Sequence, residues 1–182
     1  MTRETTRKFI VSPIQYIVGI LLVVFVGFQY QLSGDFSIYM AASEQLALGK
    51  DIYSMYFNGD QKLPYMASPA LAYLFYPLSA LPLGVAAAIW KTLNILLIIR
   101  LWVLFEKYFV AVNWVEKQHR NWVLLSVLSL SFILYRNFHL SQFSVVLLYL
   151  IFEGVHQIRT GKYLLLGPLL LGLGITIKIL PI

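Results

Sequence analysis

Few side chains in this sequence can do chemistry, and most of them stand beside long apolar runs. Asp35 follows the first run and opens a helical pattern, so its carboxylate is either a reactive group or the N-cap of that helix. Lys91 lies well inside a second run, and Lys178 lies near the end of the last one. Charges within apolar spans are functional candidates by default, because they usually face a cavity or a partner. Snorkelling to the interface is the alternative for both lysines. Arg136, His139 and Gln142 cluster between two further runs, either as part of a site or as a solvated turn. Glu153 reads as a snorkelling residue or one half of a local pair. Tyr65, Tyr73, Tyr76 and Trp90 suit an interfacial aromatic belt, with sugar stacking as the other reading. Cysteine is absent, which excludes disulfides, thiol nucleophiles and thiolate metal sites. His119, His139 and His156 form no H-x-x-x-H or HExxH pair, so no zinc site and no other metal site is expected.

The elements that must position these residues follow from composition. The chain has 182 residues, 59% hydrophobic and only 12% charged, and its mean hydropathy is +0.75. Soluble domains carry about 25% charged residues. A water-soluble fold of this length cannot hide so much apolar surface, whereas lipid can. The reading is a polytopic membrane protein, an all-α bundle of transmembrane helices. Its net charge of +6 then marks cytoplasmic loops rather than nucleic-acid binding.

Run length sorts the segments. A spanning helix needs about 20 apolar residues, and 10–14 suits an interfacial segment. The runs predict spans at about 13–30, 83–105, 121–138, 140–157 and 163–180, with an outer loop at 31–82. The first run is too long for a signal-peptide core and lacks a small-x-small cleavage site, so it reads as an uncleaved span. Residues 68–81 are short and contain Pro77, which predicts a juxtamembrane helix that does not cross.

Charge supports five spans. The tail carries Arg3, Arg7 and Lys8 against Glu4, and the 158–162 loop carries Arg159 and Lys162. The 106–121 loop carries Lys107, Lys117 and Arg120 against Glu106 and Glu116. All three fall inside in this topology, as the positive-inside rule requires. The 31–67 loop, with Asp35, Glu44, Asp51 and Asp60 against Lys50 and Lys62, falls outside. Were 68–81 to cross, Arg159 and Lys162 would lie outside. The same topology gathers Asp35, Arg136, His139, Gln142 and Lys178 on the outer side.

The first loop is the most informative stretch. After Asp35, a helical face of Phe36, Tyr39, Met40, Ser43 and Leu46 or Ala47 runs to a stop at Gly49. It predicts a short amphipathic helix in the interface. The turn-like Asn58-Gly59-Asp60 follows.

An acidic residue just past the first span, then Tyr39, a short helix ending in Gly49 and a following Tyr53 resemble glycosyltransferase family 87. So do Tyr65, Ser68-Pro69, Pro77-Leu78, Leu81-Pro82 and Trp90. HLSQFSVVLL resembles the family's G-Q-x-N stretch, with Ser141 where Gly is usual and Ser144 where Asn is usual. GLGITIKILP resembles its Gly-rich span closing on K-x-x-P, which brings in Lys178. That family contains polyprenyl-phosphate-mannose-dependent mannosyltransferases of the GT-C superfamily. Its members are longer, so the chain reads as the N-terminal part of such an enzyme and inactive alone.

The resemblance implies a GT-C-like fold and inverting transfer of a hexose, mannose by family, on the outer face of a bacterial plasma membrane, with the N-terminus cytoplasmic. The donor is a sugar on a polyprenyl phosphate, and the acceptor is a glycan or glycolipid hydroxyl. Asp35 matches the family's catalytic acidic position and takes the general-base role. Tyr39, Tyr65, Lys91, Arg136, His139, Gln142 and Lys178 are the substrate-binding candidates, with Lys178 and Lys91 or Arg136 meeting the lipid phosphate. No cofactor and no nucleic-acid partner is implied. The absence of a GxxxxGK[ST] loop fits a lipid-linked donor. The rival readings are a non-enzymatic membrane protein, such as a transporter half or assembly subunit, and a GT-C enzyme of different sugar specificity. The sequence shows no internal repeat of the kind transporters often carry.

Overall fold

The computed structural model describes residues 34–57, 63–109, 116–161 and 163–178. These belong to the second of two units into which the chain divides, residues 31–182. The first apolar run with its basic flank, most of the Asn58-Gly59-Asp60 loop including all three of those residues, Lys162 and the closing Pro181 lie outside the described residues, as does the side chain of Lys178. The order is α1 (Asp35–Ala47), β1 (Tyr56–Phe57), β2 (Leu63–Pro64), α2 (Pro69–Ser79), α3 (Leu83–Phe109), α4 (Glu116–His139), α5 (Ser144–Thr160) and α6 (Leu166–Lys178). The described residues are mostly helical.

Helix α1 ends as its sequence requires. Gly49 adopts φ +70°, and its N–H reaches Leu46 O at 3.0 Å while that of Lys50 reaches Gln45 O at 3.0 Å. Glycine takes this left-handed conformation without steric cost. Phe36, Met40 and Ser43 are buried as the amphipathic pattern requires, but Ile38 and Ala42 on another side are buried too. The second side packs on Ile52, Phe57, Tyr65 and Ala72. The antiparallel pair β1–β2, with Tyr56 opposite Pro64 and Phe57 opposite Leu63, brings Phe57 there. Helix α1 is therefore sandwiched rather than laid on a single surface.

Helix α2 has 11 residues with Pro69 in its first turn and Pro77 inside. At about 1.5 Å per residue it is too short to cross a hydrocarbon core of about 30 Å. Its start is tied down locally. Tyr65 Oη donates to Ser68 O at 2.8 Å, and Tyr53 Oη donates to Ala67 O at 2.9 Å.

Among the described residues, helix α3, of 27 residues, and α4, of 24, are the two helices long and apolar enough to cross a membrane. Each leaves large apolar side chains uncovered, among them Leu96 and Ile99 on α3 and Leu128 and Phe132 on α4. Lipid tails cover such surface at no cost, and water does not. Helix α6 is apolar but shorter, with 13 residues.

Two kinds of contact join α3, α5 and α6. Glycines set the α5–α6 pair: a Cβ on Gly167 would lie 2.8 Å from Gly154 O and 2.5 Å from Ile158 Cγ1. Small residues let helix backbones approach this closely, the usual device in membrane bundles. Charge joins α3 to α5. Arg100 holds Glu153 through Nε at 2.8 Å and a second guanidinium nitrogen at 3.1 Å. Gln157 Nε2 adds a bond of 2.6 Å to the same carboxylate. Glu153 is thus one half of a pair, and it is buried.

Boundaries differ from the hydropathy reading in two places. Glu106, Lys107, Glu116, Lys117 and Arg120 lie in helices rather than in a loop at 106–121, because charged residues are good helix formers and simply extend the apolar segments. The helix predicted from Leu140 begins at Ser144. Leu140–Phe143 form a turn in which Ser141 takes φ +51°, a conformation that an apolar pattern does not reveal.

Candidate functional site

The turn at 140–143 is where the candidate side chains named from sequence begin to meet. Gly34 precedes α1 with φ +134°, and a Cβ there would lie 2.5 Å from Leu140 O. Only glycine lets the chain pass this close. The next residue, Asp35, donates its backbone N–H to Leu140 O at 2.9 Å. The N-cap position belongs to Gly34, with no side-chain capping bond, and Asp35 is the first helical residue. Its carboxylate is therefore not the cap of this helix.

Tyr39 stands one turn along α1 and hydrogen-bonds the Asp35 side chain. Burial, then the neighbouring Asp35 charge, pushes its phenol well above the usual tyrosine range. It stays protonated at working pH and can only donate to the carboxylate. Tyr65 packs edge-on against Tyr39, with ring centroids 6.4 Å apart. Its own phenol is raised by burial first and by Tyr53 second. Tyr65 is 2% exposed, so it belongs to the core and neither an interfacial belt nor an open sugar-stacking surface includes it. Tyr73 and Tyr76 are exposed.

Trp90 binds the turn from the other side. Its Nε1 donates to Ser141 O at 3.3 Å. Its ring stacks on Phe143 with centroids 5.8 Å apart and on Phe36 at 6.3 Å, and meets Phe75 at 4.9 Å. This cluster fixes α1, α2, α3 and the turn against one another, and it explains why Trp90 is 4% exposed rather than part of a belt.

Lys91 is also buried, at 9% exposure. It lines a narrow cleft with Trp90, Asn94, Asn137, Ser141 and Gln142. Lys91 and Gln142, far apart in sequence, thus share one cleft. Arg136 and His139 sit in the last turn of α4 rather than in a connecting loop. Arg136 is exposed, and the His139 ring stacks on Tyr135 at 5.8 Å. Lys178 ends α6, and the neighbouring Ile177 O accepts the Ser68 N–H at 3.5 Å. The end of α6 and the Ser68-Pro69 start of α2 therefore come together. Asn94 and Asn137 were not singled out from sequence, because a neutral amide inside an apolar helix resembles any polar interruption. Among the described residues no group of three or more His, Asp or Glu side chains could hold a metal ion.

Residues 65–182 match the family model of glycosyltransferase family 87. The chain belongs to glycosyltransferase family 87. The match takes in α2 through α6, and with them Trp90, Lys91, the 140–143 turn and Lys178. Asp35 and Tyr39 precede it. No curated protein matches, and no solved structure matches. Family membership makes the chain a glycosyltransferase, and its two long apolar helices make it membrane-associated. The Ser141 backbone is left-handed at φ +51°, a conformation that glycine takes freely and in which a Cβ costs about 1–2 kcal/mol.

Proposed function

We propose that this protein transfers a hexose, mannose by family, from a polyprenyl phosphate to an acceptor hydroxyl on a glycan or glycolipid at the outer face of a bacterial plasma membrane. The observation that carries the reading is the 2.9 Å bond from Asp35 N–H to Leu140 O. It seats an acidic residue from outside the matched region on a turn inside it, beside the cleft that holds Lys91 and Gln142. Spans at about 13–30, 83–105, 121–138, 140–157 and 163–180 put this turn, α1 and α2 outside and the N-terminus in the cytoplasm.

The acceptor oxygen attacks the anomeric carbon as its bond to the phosphate oxygen breaks, and configuration inverts. Asp35 takes the acceptor proton, while Tyr39 donates to the carboxylate and holds its orientation. The electron pair of the breaking bond leaves on the polyprenyl phosphate, and nearby cations stabilise that charge in a poorly hydrated site. Lys91 is the buried cation of the cleft, with Arg136 and Lys178 the other basic residues within or beside spans on that side. General-base help of this kind contributes about 10²–10⁴-fold.

The test is Asp35→Asn in membranes holding the complete protein, assayed for sugar transfer from a polyprenyl-phosphate donor at matched expression. Transfer falls by about 10²–10⁴-fold. Folding is nearly unchanged, since losing a first-turn charge costs about 0.3–1 kcal/mol. Near-wild-type turnover removes Asp35 from the mechanism.

A further inference from the structure

Two residues of the cleft have no explanation in the packing. Asn94 is 2% exposed and Asn137 is 5% exposed, and the side-chain oxygen of each meets no hydrogen-bond donor. The orientation of Asn94 is fixed, because its Nδ2 donates to Trp90 O at 2.9 Å. The oxygen is thereby the atom left for something else. A buried amide oxygen without a donor destabilises a fold, and leucine fills similar space without that penalty. Both oxygens belong to residues lining one cleft, with an ammonium group and the Gln142 amide on the same lining.

The cleft adjoins the place where Asp35 is seated. Ser141, whose carbonyl holds Trp90 Nε1 at 3.3 Å, follows Leu140, whose carbonyl holds Asp35 N–H. We propose that Asn94 and Asn137 form a hydroxyl-reading subsite for the sugar of the lipid-linked donor, each accepting a hydrogen bond from one ring hydroxyl. The inference rests on the glycosyl-lipid reading given above. The lining matches a sugar edge beside a phosphate: two acceptors for hydroxyl protons and a cation for the anion. In this structure the cleft is closed to a molecule the size of water, so a ring hydroxyl reaches the two oxygens when α3 and α4 part at this end. Such a site discriminates strongly, because a sugar lacking the hydroxyl leaves the buried acceptor unpaired.

The experiment uses the complete protein in lipid nanodiscs, titrated with decaprenyl phosphate and with decaprenyl phosphate mannose, alongside thermal unfolding. Wild type binds the mannosyl lipid about tenfold more tightly than the sugar-free lipid, the increment of a well-made hydrogen bond. Asn137→Leu cuts that margin to about threefold, the share left to Asn94, leaves decaprenyl phosphate affinity within about twofold, and leaves Tm unchanged or raised because an unpaired buried oxygen is gone. Asn137→Ala, which adds no volume, reports on the same atom if leucine does not fit. A margin undiminished by both substitutions overturns the subsite and leaves the donor reading standing. So does a lowered Tm with both lipids weakened equally, which identifies Asn137 as a packing residue. If wild type binds neither lipid, the donor reading fails and the subsite fails with it.

Discussion

At the scale of single residues, two backbone positions govern how α1 meets the 140–143 turn. Gly34 combines φ +134° with a virtual Cβ 2.5 Å from Leu140 O. Gly34→Ala forces the backbones apart, and overpacking of this kind costs about 1–3 kcal/mol. Sugar transfer falls with it, since Asp35 is the next residue along, and thermal unfolding and turnover measured together check the coupling. Ser141 is the opposite case. Its φ is +51° and its Oγ makes only a local bond to Phe138 O at 3.3 Å. Ser141→Gly relieves the left-handed strain and raises stability by roughly 1 kcal/mol after the entropy of the added glycine is offset. An unchanged or lowered melting temperature would show that the hydroxyl matters more than the backbone. Sequence made one half of this legible. The acidic residue, the tyrosine after it and the lysine inside an apolar run announce themselves by charge or spacing. Asn94 and Asn137 do not, because their importance lies in which bond their oxygens lack, and only packing reveals that.

At the scale of elements, apolar runs located the long helices of the described residues but misplaced several of their ends. The run from Leu140 reads continuously into the next helix, yet a turn with one left-handed residue separates them. Turn geometry leaves no trace in hydropathy. The contact between α3 and α5 was equally hidden, because Arg100 and Glu153 lie 53 residues apart. Glu153 is 6% exposed at its side chain and Arg100 is 41%, so the carboxylate is the dependent partner. Arg100→Leu leaves Glu153 buried with only Gln157 as a described donor, and destabilises the pair by about 2 kcal/mol, less than a fully buried pair because Arg100 is partly exposed. Arg100→Leu with Glu153→Leu recovers most of that loss, since a matched apolar pair needs no compensation. A double-mutant cycle read by thermal unfolding in detergent checks this. Additive losses would mean that the two side chains are not coupled.

At the scale of the whole molecule, the proposed chemistry requires that Asp35, the 140–143 turn and the start of α3 share one membrane side. Helix length is compatible with this for α3 and α4, which are long enough to cross, and α6 has 13 described residues. The distribution of charge supplies the direction. Arg159 stands at the far end of α5 from the turn, and Gly161 closes that helix in a left-handed conformation. Basic residues next to a span stay in the cytoplasm, and on that rule the proposed topology has the turn outside. The absence of native cysteine makes the test direct. Lys50→Cys lies in the segment after α1, and Thr160→Cys lies at the end of α5, and both native positions are exposed. In intact cells a membrane-impermeant maleimide labels Lys50→Cys. Thr160→Cys labels only after the membrane is permeabilised. Labelling of Thr160→Cys from outside reverses the orientation of α5 and separates its basic end from the cytoplasm. Asp35, bonded to the turn through Leu140 O at 2.9 Å, would then lie on the cytoplasmic side with it, and transfer at the outer face would be overturned.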